Sequence, residues 1–460
     1  MIKKFFMKNV FEKLYYLILY GAGSFRFYDF INKAQWKPLG KNIEIQKELL
    51  YNIVNYSIQN IPYYKKAFKK CGVSINKNSI FEDIRKLPPL TKDVLRNEYD
   101  NLHGWIDEKQ VYTNSSGGST GQPVNFLQDK VFKYKMLLVK KLQKEWAGYT
   151  SGEVEIKIWG SERDILKQKE IFIKKLWAWL MSSYFLNSFS MNYQIMRCYV
   201  KEINKRKPKL ILAYVTSIYD LARFIGENKI TVFKPKAIMT SAGVLHSHHK
   251  KIIEKVFNCQ VFNRYGTREV GDIACDCEMH EGLHVSMFTH YVEILDKNLN
   301  PCKEGQIGDI YITLLTNYTM PLIRYKIGDR AVFTNKKCSC GRGLSMLKRI
   351  IGRESEVLYT KDGRLIQGQF FIHFLGVIFN QGTIQKFQVI QRDYDDLEIK
   401  IVVKDERSLK FFKDKVQRIV KITFGESCNI TWNCVKDIKP LKSGKYAYTI
   451  NKIKSHGVWS

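Results

Sequence analysis

The chain has 460 residues, too many for a single hydrophobic core, and its 45% hydrophobic content is that of a folded globular protein, not a disordered or fibrous one. Lys and Arg number 75 against 44 Asp and Glu, a formal charge of +31, and such a surface seeks anionic company: nucleotide, nucleic acid, anionic lipid or acidic glycan. The lysines are spread along the whole chain with no legible nucleic-acid module among them, which sets nucleic acid aside as a partner.

The first 40 residues form a basic, aromatic segment. Its apolar run over residues 14–20 is too short to span a bilayer. A signal peptide is one reading. An amphipathic helix is the other, since Lys3, Lys4, Lys8 and Lys13 interleave with Phe5, Phe6, Val10, Phe11 and Leu14. Such a helix lies either against the body of the protein or peripherally on an anionic membrane. Residues 45–72 have helical spacing up to Gly72, and Thr91 is placed to cap a short helix after a Pro-Pro turn. Residues 129–148 predict a helix closed by Gly148.

Between these helices lies SSGGSTGQP, residues 115–123, with three glycines and four hydroxyl residues in its first seven positions. Gly117, Gly118 and Gly121 allow close backbone approach, and the exposed N–H groups with Ser115, Ser116, Ser119 and Thr120 make a nest for an anion, phosphate above all. The Gly-Lys-Ser/Thr ending of a P-loop is missing.

Farther on, EIKIWG, PKLILAY, PKAIMTSAG and CQVFNRYG alternate with helical segments, the pattern of a mostly parallel α/β sheet with crossover helices. QIGDIYITLL and DRAVFT read as later strands. After residue 351 the order becomes strand EVLYT, helix, strand, strand, helix, strand, the split βαβ arrangement of a small α+β domain. The expected fold is thus α/β, with a large domain over 41–351 and a smaller one over 352–460.

Ten cysteines in so long a chain are no disulfide scaffold. CDCEMHEGLH supplies Cys275, Cys277, His280 and His284, and CSC supplies Cys338 and Cys340, a set suited to four tetrahedral zinc ligands; free buried thiols are the alternative.

The glycine-rich loop is followed in order by RYGTRE (264–269), IRYKIGDR (323–330), IGRESEV (351–357) and LKSGKY (441–446). Order and spacing resemble the adenylate-forming enzymes, in particular phenylacetate–coenzyme A ligase and its relatives in bacterial capsule and surface-polysaccharide gene clusters, from about residue 60 to the C-terminus. The resemblance implies a cytoplasmic enzyme, peripheral at the membrane if the N-terminal segment binds there, that uses ATP and Mg²⁺ to turn a carboxylic acid into an acyl-adenylate. The acyl group would pass to an acceptor thiol, coenzyme A first, or to an amine or hydroxyl. A homodimer and a non-catalytic assembly scaffold stay open.

The resemblance also implies roles. The loop from Ser115 to Gly121 would hold the β- and γ-phosphates, Tyr265 would lie on the adenine within the Tyr265-Gly266-Thr267 motif, and Glu269 would help hold Mg²⁺. Asp329 would accept from the ribose hydroxyls. Arg353, at the hinge of a mobile C-terminal domain, would reach the nucleotide, and Lys445 would offset charge at the α-phosphate. Relatives join one Cys and the His of a GLH segment to a later Cys-x-Cys, which selects Cys277, His284, Cys338 and Cys340 for a structural zinc, with Cys275 and His280 as spares. The chain departs from its relatives at Gly243, where they carry an acidic residue, at Ser355-Glu356 in the hinge, and at Ser119 in place of Thr. Trp159, Tyr214 and Ser241 are candidates for a mixed apolar and polar acyl pocket.

Overall fold

The computed structural model describes residues 23–105, 107, 109–115, 124–159, 182–188, 191, 193–353, 357–361, 365–367, 371, 375, 384–403, 409–439 and 447–453. The expectations for residues 1–22, for Ser116, Gly117, Gly118, Ser119, Thr120 and Gly121, and for Lys445 lie outside these. The chain divides into two compact units, Met1–Ile351 and Gly352–Ser460.

The first unit opens on α1 (Gly23–Ala34), α2 (Leu39–Asn60) and α3 (Pro62–Cys71). The single helix expected up to Gly72 is two. Pro62 has no N–H to donate and forces Ile61 into extended backbone (φ −113°, ψ 116°), so the helix restarts with proline at its first turn. Gly72 closes α3 in the left-handed conformation at φ 61°. Thr91 caps α4 (Lys92–Asn97) by accepting from the Val94 N–H at 3.3 Å.

Helix α1 buries Ile31 and Ala34, and Phe25, Phe27, Tyr28 and Phe30 pack on the same core. Residues 23–34 of the basic N-terminal segment therefore lie against the body of the protein. Gln35, just beyond, accepts at Oε1 from Trp146 Nε1 (2.9 Å) and Arg342 Nε (3.0 Å). The chain here crosses so close to Gly343 that a Cβ at 343 would stand 1.8 Å from the Lys37 carbonyl oxygen. Because the obstruction is backbone, Gly343→Ala is expected to cost at least about 1–3 kcal/mol of stability, the range for overpacking. A thermal melt of the variant that matches the parent would refute this.

The hairpin β1 (Val111–Ser115) and β2 (Asn125–Asp129) pairs antiparallel from Val111↔Asp129 to Ser115↔Asn125. Asp129 then caps α5 (Lys130–Trp146), accepting from Phe132 N–H at 2.6 Å, and Gly148 follows at φ 73°.

Next come β3 (Glu155–Trp159), β4 (Ser183–Asn187), α6 (Tyr193–Arg206), β5 (Leu210–Tyr214), α7 (Val215–Glu227), β6 (Ala237–Ser241), α8 (Ser247–Phe257) and β7 (Gln260–Thr267). These strands pair parallel in the order β4-β3-β5-β6-β7. Strands β5 and β6 are buried throughout, as expected where helices cover both faces.

From β7 the sheet turns antiparallel through β8 (Gly271–Asp276) and β9 (Leu283–Val285). It continues across β13 (Met346–Arg353), β12 (Tyr325–Thr334) and β11 (Ile307–Leu314) to β10 (His290–Leu295), eleven strands in all. The sheet is mixed, a parallel half joined at β7 to a largely antiparallel half.

The second unit begins with a hairpin, β14 (Val357–Tyr359) and β15 (Leu365–Gln367). Its four-stranded sheet runs β18-β17-β16-β19 and comprises β16 (Ile384–Asp393), β17 (Asp396–Val403), β18 (Asn429–Cys434) and β19 (Thr449–Asn451). Helix α9 (Leu409–Phe424) buries Phe412, Val416, Val420 and Phe424 in the core cluster that also holds Val389 and Ile399. One expectation fails here. EVLYT is not a strand of this sheet: its residues 357–359 pair antiparallel with β15 in a separate hairpin, and β19 takes the place beside β16.

Candidate functional site

Parallel strands place all their C-terminal ends on one edge of a sheet, where α/β folds bind ligands. Trp159 ends β3, Tyr214 ends β5, Ser241 ends β6 and Thr267 ends β7, so the candidate acyl-pocket residues and the RYGTRE motif share this edge. The Trp159 and Tyr214 rings are in contact, 4.2 Å between centroids. Gly243 follows β6. A Cβ there would meet Val215 only at 3.4 Å, an ordinary contact, so the backbone leaves room for the side chain that relatives carry.

Tyr265 and Asp329 are 64 residues apart in sequence, yet the Tyr265 phenol donates to Asp329 Oδ2 at 2.8 Å with both side chains largely buried. Gly266, between Tyr265 and Thr267, sits at a bulge in the β7–β8 pairing. A Cβ there would come within 2.4 Å of the Gly271 carbonyl oxygen, so only glycine lets the strands approach this closely. Thr267 Oγ1 is buried with no hydrogen-bond partner among the described residues. An orphaned hydroxyl at the end of β7 fits an oxygen-rich ligand such as a phosphate.

Glu269, also buried, is reached through its backbone. Gln128 Nε2 donates to the carbonyls of Arg268 (2.9 Å) and Glu269 (3.1 Å), while Asn114 Nδ2 donates to Gln128 Oε1 (3.2 Å). Asn114, paired with Phe126, stands diagonally across the β1–β2 hairpin from Gln128, and the glycine-rich segment departs from and returns to this end of the hairpin at Ser115 and Asn125. Gln128 thus ties the roots of the loop to the turn that carries Glu269. Sequence reasoning missed this residue; its one signal was an amide in the buried run of NFLQD.

The structure therefore gathers Ser115, Tyr265, Gly266, Thr267, Glu269 and Asp329 on connected elements. The backbone of Arg353 ends β13, and the structure says nothing of its side chain.

A buried charge network supports the strand before Tyr265. Arg264 pairs with Asp272, Lys140 Nζ lies 3.6 Å from the same carboxylate, and the Arg264 guanidinium stands 5.9 Å from the Trp159 ring centre. Burial would raise the Asp272 carboxyl, but Arg264 and Lys140 outweigh it and hold it below its ordinary value. Beside it Glu155 binds Lys144 and Lys157. Burial works against its ionised form, yet the two ammonium groups hold it down at about 2.

The cysteine clusters converge on the antiparallel half. His284 on β9 stands opposite Cys275 on β8 and Met346 on β13. The ligand atoms of Cys277, His284, Cys338 and Cys340 all lie within 4.8 Å of one another. Sulfurs bound to one tetrahedral zinc at about 2.3 Å stand about 3.7 Å apart. Here the Cys277 and Cys338 sulfurs are 3.6 Å apart, and Cys340 Sγ is 3.3 Å from His284 Nε2. Burial and the Arg342 guanidinium push His284 down to about 4, so it is neutral at pH 7, as a metal ligand must be. Cys275 is buried in the sheet outside this group, and His280 is engaged with Asp276 at 3.1 Å. Around the cluster, Arg342 pairs with Glu278 at 2.9 Å and stacks on Trp36 and Trp146, and Trp146 packs edge-on against His284.

This fold, an eleven-stranded mixed sheet followed by a small α+β unit, is that of the adenylate-forming ligases, and the gathered motifs are those by which the chain resembles them. In structure it is similar to 2-hydroxyisobutyryl-CoA ligase in its postadenylation state with 2-HIB-AMP, with a TM-score of 0.73, 15% identity and 92% of each chain covered. In sequence it is 26% identical over 419 residues to Protein CapK of Staphylococcus aureus, covering 89% of each chain. It is 22% identical to the phenylacetate-coenzyme A ligase of Thermus thermophilus, covering 83% of this chain and 85% of that one. Residues 358–452 match the family described as the CapK C-terminal domain. No helix among the described residues is long and apolar enough to cross a membrane.

Proposed function

We propose that the protein is an AMP-producing ligase: it joins a carboxylic acid to the α-phosphate of ATP, releases pyrophosphate, and passes the acyl group to an acceptor, the thiol of coenzyme A. The observation that carries this reading is the buried Tyr265–Asp329 hydrogen bond on elements that also hold Thr267 and Glu269. It forms a fixed carboxylate for a diol beside an aromatic face and an orphaned hydroxyl.

In this reading Asp329 accepts from the two ribose hydroxyls, and the Tyr265 ring lies on the adenine. The loop of Ser115, Ser116, Gly117, Gly118, Ser119, Thr120 and Gly121 cradles the β- and γ-phosphates with backbone N–H groups. Thr267 donates to the α-phosphate. Glu269 would hold Mg²⁺, which supplies charge neutralisation on the phosphates. Arg353 meets the nucleotide from the start of the second unit. Lys445 offsets the charge that grows on the α-phosphate as the carboxylate attacks. The second unit, from residue 352, then turns to admit the acceptor, a hinge motion that alternates two half-reactions. Trp159, Tyr214 and Ser241 line the acid's pocket.

Pyrophosphate release screened across a panel of carboxylic acids, with and without coenzyme A, tests the reading. Release that depends on one acid, and a thioester that forms only with coenzyme A, is the expected result. Acid-dependent release with an amide or ester formed instead moves the acceptor to an amine or hydroxyl, the context of surface-polysaccharide assembly. No acid-dependent release removes the ligase reading and restores the scaffold.

The second part of the proposal is a structural zinc on Cys277, His284, Cys338 and Cys340, with four protein ligands and so no open position for chemistry. Protein purified from zinc-supplemented medium is expected to carry about one zinc per chain by elemental analysis. C338S/C340S should lose it and melt several degrees lower while preferring the same acid. Metal-free protein with an unchanged melting temperature would eliminate this site.

A further inference from the structure

The opposite edge of the parallel sheet carries a second feature that the ligase chemistry does not use. Strands β5 and β6 are each entered through the same tripeptide, Lys207-Pro208-Lys209 before Leu210 and Lys234-Pro235-Lys236 before Ala237. The two segments run side by side, with Lys236 N–H donating to the Lys209 carbonyl at 3.0 Å. Both prolines are buried while Lys207, Lys234 and Lys236 are exposed, so the rigid rings anchor the backbone and the lysines project from it. The four lysines line one open cleft of about 510 Å³, with Phe233 contributing apolar wall.

The charge of this cleft is unbalanced. Among the described residues its one acidic lining residue is Glu153, whose carboxylate accepts from the Thr150 N–H at 2.8 Å. None of the four ammonium groups forms an ion pair among the described residues, whereas nearby Lys144 and Lys157 are both matched to Glu155. Like charges carried on paired backbone favour an anion between them. The cleft lies at the N-terminal ends of β5 and β6, while Tyr214 and Ser241 lie at their C-terminal ends. Strands of five residues separate the two edges by about 13–17 Å at about 3.3 Å per residue. It is therefore a site apart from the nucleotide motifs.

We propose that the paired Lys-Pro-Lys segments form a binding site for a soluble, multiply phosphorylated small molecule. Lysine binds phosphate as a point charge from any direction, which suits several phosphoryl groups in a chain or cluster. The limited volume of the cleft and its apolar wall fit a compact organic body better than an extended polymer. Phosphorylated lipid headgroups present the same chemistry, and the test separates the two sources.

The experiment is calorimetric titration of the full chain with inorganic tripolyphosphate at low ionic strength, where such contacts are least screened. Two variants are compared. K207Q/K209Q/K234Q/K236Q neutralises the cleft, and K65Q/K66Q/K69Q/K70Q removes the same charge from the exposed face of α3. The cleft variant is expected to lose the tripolyphosphate site, with at least tenfold weaker binding. The α3 variant should bind as the parent does, and both should keep the acid-dependent pyrophosphate release of the parent. That last readout separates this site from the nucleotide site, where tripolyphosphate also has a place. If the fourfold variant does not fold, K207Q/K234Q should show an intermediate loss. Equal weakening in the two fourfold variants would reduce the effect to general charge and overturn the proposal. So would unchanged binding, or a cleft variant that loses only co-sedimentation with phosphatidylserine vesicles and still binds tripolyphosphate.

Discussion

Lys445→Ala is expected to lower acid-dependent pyrophosphate release by about two to three orders of magnitude, the scale for losing one preorganised electrostatic contact in a transition state. The affinity for ATP should change far less, because the proposed function assigns ground-state binding to the glycine-rich loop and Asp329. The two half-reactions separate the roles. Acyl-adenylate prepared chemically and given to the variant should be transferred to coenzyme A at close to the parental rate, since the lysine acts only while charge builds on the α-phosphate. Rapid-quench measurement of each half-reaction checks this. Equal losses in both would make Lys445 a folding or docking residue, and no loss in either would remove the catalytic assignment.

Asp329→Ala should act on the other side of the kinetics. A carboxylate that accepts from two ribose hydroxyls makes two hydrogen bonds to a charged group, each worth about 1.5–3 kcal/mol. Their joint loss, roughly 3 kcal/mol or more, raises the ATP concentration for half-maximal rate about a hundredfold at about 1.4 kcal/mol per factor of ten. The rate at saturating ATP should fall much less, the pattern of lost uniform binding. Tyr265→Phe keeps the ring and removes only the phenol that donates to Asp329 Oδ2, so its effect on KM should be several-fold at most. Initial rates across ATP concentrations distinguish the two variants. An Asp329→Ala enzyme with parental KM would put the nucleotide elsewhere.

Local chemistry made much of this molecule readable. Asp129 and Thr91 cap the helices that follow them because a short oxygen side chain before an apolar-periodic run has one good use there. The apolar runs LILAY and AIMTS are buried strands of a parallel sheet, and their lengths said as much. What stayed hidden depends on distant partners. The strand SYFLN, β4, has polar ends and aromatic content that fit several structures, and only its pairing with β3 decides it. EVLYT has the composition of a sheet strand, and only its pairing with β15 puts residues 357–359 in a separate hairpin. In the site, the motifs named the residues that the proposed function sets around a nucleotide. They could not reveal that Tyr265 holds Asp329, or that Gln128 ties the loop's roots to the Glu269 turn, because those contacts span 64 and 141 residues.

In the proposed function ATP is cleaved at the α-phosphate in service of a carboxylic acid. The most direct measurement is the nucleotide left when the protein is incubated with ATP, Mg²⁺, a panel of carboxylic acids and coenzyme A, resolved by chromatography and mass spectrometry. AMP and pyrophosphate are expected in equal amounts, formed only with an accepted acid and about two to three orders of magnitude more slowly by the Lys445→Ala variant. ADP and inorganic phosphate in their place, or AMP formed without any acid, would contradict it.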